Sequence, residues 1–121
     1  MHKLYLIRHG ETESNSNGIF QGQTNSPLSE LGKTQAQLLA QRLQKDHVNV
    51  DRLIASTLGR AIETAEYIAK ALDCKVETDR GLQEINLGNW EGMNWEKIRD
   101  NFPIHSQDYH QRWWRFKEHG G

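Results

Sequence analysis

Short apolar runs alternate with longer segments of helical periodicity along most of this chain, and this alternation constrains its fold more than any other feature. Three apolar runs are short enough to be buried strands, and they cover residues 4–7, 52–55 and 74–77. Strands that alternate with helices are typical of an α/β fold with a parallel sheet and right-handed crossovers. We therefore predict the order βαβαβ, followed by further helices.

The helical segments carry local start signals. The side chain of Ser29 can cap a helix, and the segment after it keeps helical periodicity to about Asp46. We expect leucines to form its buried face, namely Leu31, Leu38, Leu39 and Leu43. Further helices are predicted from 56–57 to about Leu72, over 94–101 and over 104–117.

Length and charge exclude several classes of protein. A chain of 121 residues is expected to form one domain, which would span 1–121. It has no apolar run near the roughly 20 residues that a transmembrane helix needs, so we expect no membrane partner. The net charge of −1 provides no basic face for nucleic acid. Because residues 1–7 lack the features of a signal peptide, we expect a cytoplasmic protein.

Residues suited to binding phosphate follow the first two predicted strands. Arg8, His9 and Gly10 come after the first strand, and the segment from Ser56 to Arg60 comes after the second. The carboxyl ends of parallel strands meet at one rim of the sheet, so these groups should lie together. A helix N-terminus and two guanidinium forks attract phosphate. His9 between them is then either an anion binder or a nucleophile.

A glutamate after the third strand is the candidate acid. Phosphoryl transfer to a histidine leaves an alkoxide, which needs a proton donor nearby. Glu84 follows the third strand and should reach the same rim. After donating its proton it could activate water for hydrolysis of the phosphohistidine. The arginines and histidines supply the positive charge, so we predict no metal site.

At these positions the sequence resembles the histidine phosphatase superfamily, also called the phosphoglycerate-mutase-like family. The resemblance covers nearly the whole chain, and its motifs follow the family's order. They are Leu6-Ile7-Arg8-His9-Gly10-Glu11-Thr12, Asn15, Phe20-Gln21-Gly22, Pro27-Leu28-Ser29-Glu30-Leu31-Gly32, the segment from Ser56 to Ala65, Leu82-Gln83-Glu84 and Gly88-Asn89-Trp90-Glu91-Gly92. An RHG triplet alone would be weak evidence, so the resemblance depends on this ordered set.

The resemblance implies a three-layer, parallel-sheet fold and a set of functional residues. His9 would be phosphorylated, while Arg8 and Arg60 would hold the phosphate. Glu84 would donate the proton. The other matched residues expected to bind phosphate or substrate are Asn15, Gln21 and Gly22. For Asn15 and Gln21, a role as simple turn residues stays equally open.

The implied activity is metal-independent hydrolysis of a phosphomonoester through a phosphohistidine. The substrate would be a small phosphorylated metabolite, and no cofactor is implied. The run 85–92 resembles the phosphatase branch more than the cofactor-dependent mutases, so hydrolysis is favoured over phosphoglycerate mutase activity. The alternative from another class is a non-catalytic phosphate-binding or interaction fragment.

The chain departs from the family's pattern at its C-terminal end. Family members continue further and carry a second pocket histidine in a Ser-His-Gly-like turn after a later strand. His119-Gly120-Gly121 matches that turn only superficially, because no apolar strand precedes it, so we do not assign that role to His119. We expect an incomplete fold that lacks its C-terminal strands, impaired turnover, and open sheet edges through which copies associate into a homo-oligomer.

Overall fold

The computed structural model of the chain describes residues 1–103 and 106–107 and shows a mixed α/β architecture. In chain order the elements are α1 Glu13–Ser16, α2 Glu30–Lys45, β1 Leu53–Ala55, α3 Gly59–Leu72, β2 Val76–Thr78 and α4 Trp95–Asn101. Two single 3-10 turns lie between β2 and α4, at Arg80–Leu82 and Gly88–Trp90. The helix predicted over 104–117 and the turn at His119 lie outside the described residues, apart from Ser106 and Gln107.

The two strands pair in parallel, as the alternation of strands and helices predicts. Leu53 lies opposite Val76 and Ala55 lies opposite Thr78, while α3 connects the strands and packs on both. A parallel pair needs such a crossover, because its two strands run in the same direction. The α/β class and the parallel sheet are therefore confirmed.

The strand predicted at residues 4–7 is not formed in the structure. The segment lies outside every helix and strand, with Leu4 83% and Leu6 87% exposed. A strand exists only through hydrogen bonds to a neighbouring strand. The described sheet contains β1 and β2 alone, and neither pairs with this segment. The apolar character of residues 4–7 is typical of a strand, but no described strand lies beside this segment to pair with it.

Helix α2 begins where its cap predicts but buries a different face. The Ser29 hydroxyl accepts a hydrogen bond from the Gly32 N–H at 3.1 Å, and the helix ends within a residue of the expected position. Leu31 and Leu38 are 54% and 60% exposed, so the predicted leucine face is wrong at those two positions. The buried residues of this helix are Gly32, Ala36 and Ala40.

Small side chains explain the orientation of α2. Gly32, Ala36 and Ala40 recur at a spacing of four residues, which aligns them on one face of a helix. Helix α2 packs extensively against α3, and small residues allow the two helices to approach closely. Hydrophobicity alone predicts that the leucines of α2 are buried. Close packing against α3 instead buries the face formed by Gly32, Ala36 and Ala40.

An aromatic cluster fixes the loop between β2 and α4. Trp90 is completely buried and contacts the edge of Phe20, with ring centroids 6.4 Å apart. The buried and half-buried members of the cluster are Phe20, Leu87, Trp90, Met93, Trp95, Ile98 and Phe102. Asn94 caps α4 by accepting a hydrogen bond from the Lys97 N–H at 2.9 Å, as predicted. The cluster therefore holds the loop after β2 against the segment around Phe20.

Candidate functional site

The ring of His9 stands beside the guanidinium of Arg60. His9 Nδ1 lies 2.7 Å from the carbonyl oxygen of Gly10, and a carbonyl can only accept, so Nδ1 carries the proton. Arg60 Nε donates to His9 Nε2 across 3.2 Å. The neutral ring therefore has its lone pair on Nε2, and that lone pair points at a cation.

Its surroundings favour the neutral form of this ring. Burial lowers the pKa of His9, and the charges of Arg60 and Arg8 lower it further. The bond to the Gly10 carbonyl and the carboxylate of Glu84 act in the opposite direction without reversing the shift. At neutral pH the imidazole therefore presents an unprotonated Nε2, which is the form that a nucleophile requires.

We expect an NMR titration of the His9 ring in the folded chain to give a midpoint below the ordinary pKa of 6.5. In the urea-unfolded chain the same ring is solvated and should titrate at its ordinary pKa. Because the unfolded chain then binds the proton at higher pH, the free energy of unfolding should decrease as the pH falls below that value. A folded-state midpoint at or above the one in urea would contradict the arrangement.

Two backbone carbonyls hold the Arg60 guanidinium in place. Arg60 lies in the first turn of α3 and is only 3% exposed. Its Nη1 donates to the carbonyl of Thr24 at 2.8 Å, and its Nη2 donates to the carbonyl of Gly22. Burial lowers the pKa of Arg60, while the carboxylates of Glu84 and Glu91 oppose that shift. The loop 21–24 thus orients a buried cation towards the ring of His9.

The backbone beside His9 is anchored to two helices. The Gly10 N–H donates to Thr64 Oγ1 at 3.0 Å, and the Thr64 hydroxyl donates to the Arg60 carbonyl at 2.8 Å. A Cβ at Gly10 would lie 2.5 Å from the carbonyl oxygen of Gly32, so only glycine fits there. The sequence analysis gave Thr64 no role of its own, although Thr64 belongs to the matched segment from Ser56 to Ala65 and lies one helical turn after Arg60.

Arg8 and Glu84 both influence the site from exposed positions. The Arg8 side chain is exposed, and its charge lowers the pKa of the neighbouring His9 ring. Glu84 is also exposed, and its Oε1 accepts a hydrogen bond from the Ile85 N–H at 2.9 Å. The carboxylate of Glu84 acts electrostatically on both His9 and Arg60. The structure therefore brings all four predicted residues close together. Arg60 is buried and His9 is half-buried, whereas Arg8 and Glu84 are open to solvent.

Of three further predicted residues, Asn15 lies in α1, and Gln21 and Gly22 lie in the loop 21–24. Asn15 Oδ1 accepts from the Thr12 N–H at 3.1 Å and completes the cap of α1, which is a turn role. Gln21 is 7% exposed, and its Oε1 has no hydrogen-bond partner among the described residues. Gly22 has φ +52° and supplies one of the carbonyls that hold Arg60. Gly22 therefore contacts the guanidinium and Gln21 precedes it in the same loop, whereas Asn15 stabilises the cap of α1.

The N-terminus of α3 is less open than the sequence suggests. The helix begins at Gly59 rather than at 56–57, and the Gly59 N–H donates to Asn25 Oδ1 at 3.3 Å. The Leu58 N–H donates to Ser56 Oγ at 3.3 Å. Two N–H groups expected to face an anion are therefore already paired with side-chain oxygens.

A carboxylate that the sequence reasoning left without a role connects the two loops of the site. Glu91 Oε1 accepts hydrogen bonds from the Gln23 N–H at 2.8 Å and from the Leu87 N–H at 3.2 Å. Its signal in the sequence was only its place in the motif around Trp90. Within the described residues, no group of three or more His, Cys, Asp or Glu side chains could hold a metal ion.

A comparison against families of known proteins assigns the chain to one of them. The family model described as histidine phosphatase superfamily (branch 1) matches residues 4–121. The chain belongs to this superfamily.

Curated relatives are similar over most of the chain. Probable phosphoglycerate mutase GpmB of Serratia proteamaculans is 46% identical over 112 residues, which is 93% of this chain and 49% of that protein. The protein of the same name from Photorhabdus laumondii is 41% identical over 81% of this chain and 45% of its own length. The chain thus spans about half the length of the curated relatives that it matches.

Two solved structures share the fold. The alpha-ribazole phosphatase from Shigella flexneri superposes with a TM-score of 0.84 at 30% identity, covering 95% of this chain and 56% of that one. YhfR of Bacillus stearothermophilus gives 0.80 at 39% identity, covering 86% and 50%. The predicted phosphoglycerate-mutase-like fold class is therefore confirmed. No described helix is both long and apolar enough to cross a bilayer.

Proposed function

We propose that the protein containing this chain is a metal-independent phosphomonoesterase that works through a phosphohistidine at His9. One observation carries the proposal: the unprotonated Nε2 of His9 lies 3.2 Å from a buried guanidinium nitrogen of Arg60, while Nδ1 is bonded to a carbonyl. A nucleophile of fixed tautomer beside a fixed cation suits attack on a phosphoryl group.

Binding of the substrate would rearrange this contact. The lone pair on His9 Nε2 accepts a hydrogen bond from Arg60 in the structure, so it is not free to attack. A phosphate group that enters between the two side chains would take the Arg60 N–H onto one of its oxygens. The exposed Arg8 would bind a second oxygen, because guanidinium groups match phosphate geometry. Gly22 already contacts Arg60, so we propose that Gly22 and its neighbour Gln21 lie beside the bound phosphate, with Asn15 as a further candidate.

The chemistry would then proceed in two steps. His9 Nε2 forms a bond to phosphorus as the bond to the ester oxygen breaks, and the Glu84 carboxyl group gives its proton to the departing alkoxide. The Glu84 carboxylate next takes a proton from water, whose oxygen attacks phosphorus and breaks the P–N bond. Inorganic phosphate leaves, and His9 and Glu84 return to their first state.

The substrate class is inferred from the names of the relatives. The relatives carry the names phosphoglycerate mutase and alpha-ribazole phosphatase, so we propose a small phosphorylated metabolite as the substrate.

Nucleic acid and membrane are not proposed as partners, and the cytoplasm is the proposed location. Association into a homo-oligomer is proposed through the exposed Leu4 and Leu6 and through the edge of β1 that no described strand covers.

Two other functions have specific support. The names of the curated relatives favour phosphoglycerate mutase activity. The exposure of Glu84 and the occupied lone pair of His9 favour a fragment that binds phosphate without turnover. Because the chain spans only about half the length of its relatives, we expect it to turn over substrate poorly even where those relatives are active.

Labelling distinguishes an enzyme with a phosphohistidine from the non-catalytic alternative, and release of inorganic phosphate distinguishes a phosphatase from a mutase. Incubation of the chain with a phosphomonoester that carries a radiolabelled phosphoryl group, such as p-nitrophenyl phosphate, in the presence of a metal chelator should give an acid-labile label on His9. The label should disappear in His9→Ala and persist in His2→Ala, because His2 is exposed and outside the site. Unlabelled protein that binds inorganic phosphate would support the non-catalytic alternative. Label that survives in His9→Ala, or that requires metal, would refute the mechanism.

A further inference from the structure

We infer that Glu91 is a positioning residue, which keeps the Arg60 guanidinium directed at His9 by fixing the loop that holds it. The inference deepens the proposed function and rests on it for its significance, but it makes its own prediction about the unphosphorylated chain. Glu91 itself makes no hydrogen bond to His9 or Arg60 in the described structure, so its effect would pass through backbone.

A single carboxylate oxygen joins two loops that are far apart in the sequence. Glu91 Oε1 accepts from the Gln23 N–H at 2.8 Å and from the Leu87 N–H at 3.2 Å. The first donor belongs to the loop 21–24 and the second to the loop that carries Glu84. Hydrogen bonds to a charged acceptor are stronger than neutral ones, so this oxygen is an effective bridge.

The carboxylate is also packed against the backbone that holds Arg60. A Cβ built on Gly22 would lie only 2.2 Å from Glu91 Oε1, so the oxygen occupies the space above this glycine. The carbonyl of Gly22 accepts from Arg60 Nη2, and the carbonyl of Thr24 accepts from Nη1. Displacement of the carboxylate would therefore free the two carbonyls that orient the guanidinium.

The same bridge restrains the acid. Gln23 Nε2 donates to the backbone carbonyl of Glu84 at 3.1 Å, while the Gln23 N–H is bonded to Glu91. Both ends of the turn from Glu84 to Leu87 are thus tied to the loop 21–24, one through Gln23 and one through Glu91. The Glu91 carboxylate also favours the charged form of Arg60 against the cost of burial. One residue thereby couples the cation to the acid.

The test uses the His9 titration, which a purely structural residue would leave unchanged. In Glu91→Ala the guanidinium should move away from the ring, so the pKa of His9 should rise towards its ordinary value. Affinity for inorganic phosphate should fall about tenfold, which corresponds to about 1.4 kcal/mol. Glu91→Gln keeps an oxygen that can accept from both N–H groups, so it should retain most of the phosphate affinity and the lowered His9 pKa.

Controls keep the inference falsifiable. Glu66→Ala removes an exposed carboxylate from α3, away from these loops, and should change neither measurement. If Glu91→Ala fails to fold, Glu91→Asp is the substitute, because its side chain is one methylene shorter and its carboxylate lies further from the two N–H groups. As in Glu91→Ala, the His9 pKa should rise and the phosphate affinity should fall. The inference would be overturned if a folded Glu91→Ala or Glu91→Asp variant kept the wild-type His9 titration and phosphate affinity. It would also be overturned if Glu91→Gln lost the phosphate affinity and the lowered His9 pKa. These outcomes do not depend on whether the labelling experiment succeeds.

Discussion

Arg60→Ala should weaken the binding of inorganic phosphate about 100-fold and destabilise the fold by about 2–4 kcal/mol. The guanidinium is 3% exposed and donates to His9 Nε2 and to two carbonyls, so its removal leaves several acceptors without a donor. It also removes the buried cation of the site. Phosphate affinity by calorimetry and stability by urea denaturation measure the two effects separately.

Two further arginine variants separate charge from geometry. Arg60→Lys keeps the charge but has no planar fork, so it should recover only part of the phosphate affinity. Arg52→Ala removes an arginine that is exposed and paired with Glu77 at 2.6 Å, so it should change stability little and phosphate binding not at all. Equal phosphate binding in Arg60→Ala and Arg52→Ala would contradict the site described above.

Gly32→Ala should destabilise the chain by about 3 kcal/mol, at the upper end of what overpacking usually costs. A Cβ at Gly32 would lie 1.9 Å from the backbone oxygen of Glu11, which cannot rotate away as a side chain could. The first turn of α2 would have to separate from residues 10–11. Because Gly10 adjoins His9, the same change should also raise the exposure of the His9 ring.

Gly59→Ala is the matched control, since both glycines lie in the first turn of a helix. A Cβ at Gly59 would meet only Asn25 Oδ1 at 3.6 Å, which is an ordinary contact. An alanine there reduces the freedom of the unfolded chain, so we expect a gain of up to about 1 kcal/mol. Urea denaturation of both variants provides the comparison. If Gly32→Ala and Gly59→Ala lowered the free energy of unfolding by similar amounts, the space at Gly32 would not control the packing of α2.

The parts of the fold that depend on local interactions could be predicted from the sequence. Ser29 and Asn94 cap their helices with their own side chains, three residues from their partners, so short patterns are sufficient to identify them. The parallel pairing of β1 with β2 followed from the alternation of strands and helices. His9 and Arg60 were expected together on topological grounds, and they do lie together.

Features that depend on tertiary approach could not be predicted in the same way. The first strand was expected to deliver His9 to the rim, yet residues 4–7 pair with no described strand. Gly10, Gly32 and Thr64 bring His9 to α3 instead, through backbone packing and one hydroxyl. The bridging role of Glu91 likewise arises only when two distant loops meet. No periodicity in the sequence encodes such contacts.

The bond between the Gly10 N–H and Thr64 has a consequence for the order in which the molecule assembles. The two bonded residues are 54 positions apart in the sequence. Forming the bond closes a long loop, which costs more conformational entropy than a bond between residues close in sequence. Helices α2 and α3 can begin to form from local interactions, but the imidazole reaches its cation only after they have docked. Reactivity of the histidine should therefore arise late in folding, and it would be lost early in any partial opening between these helices.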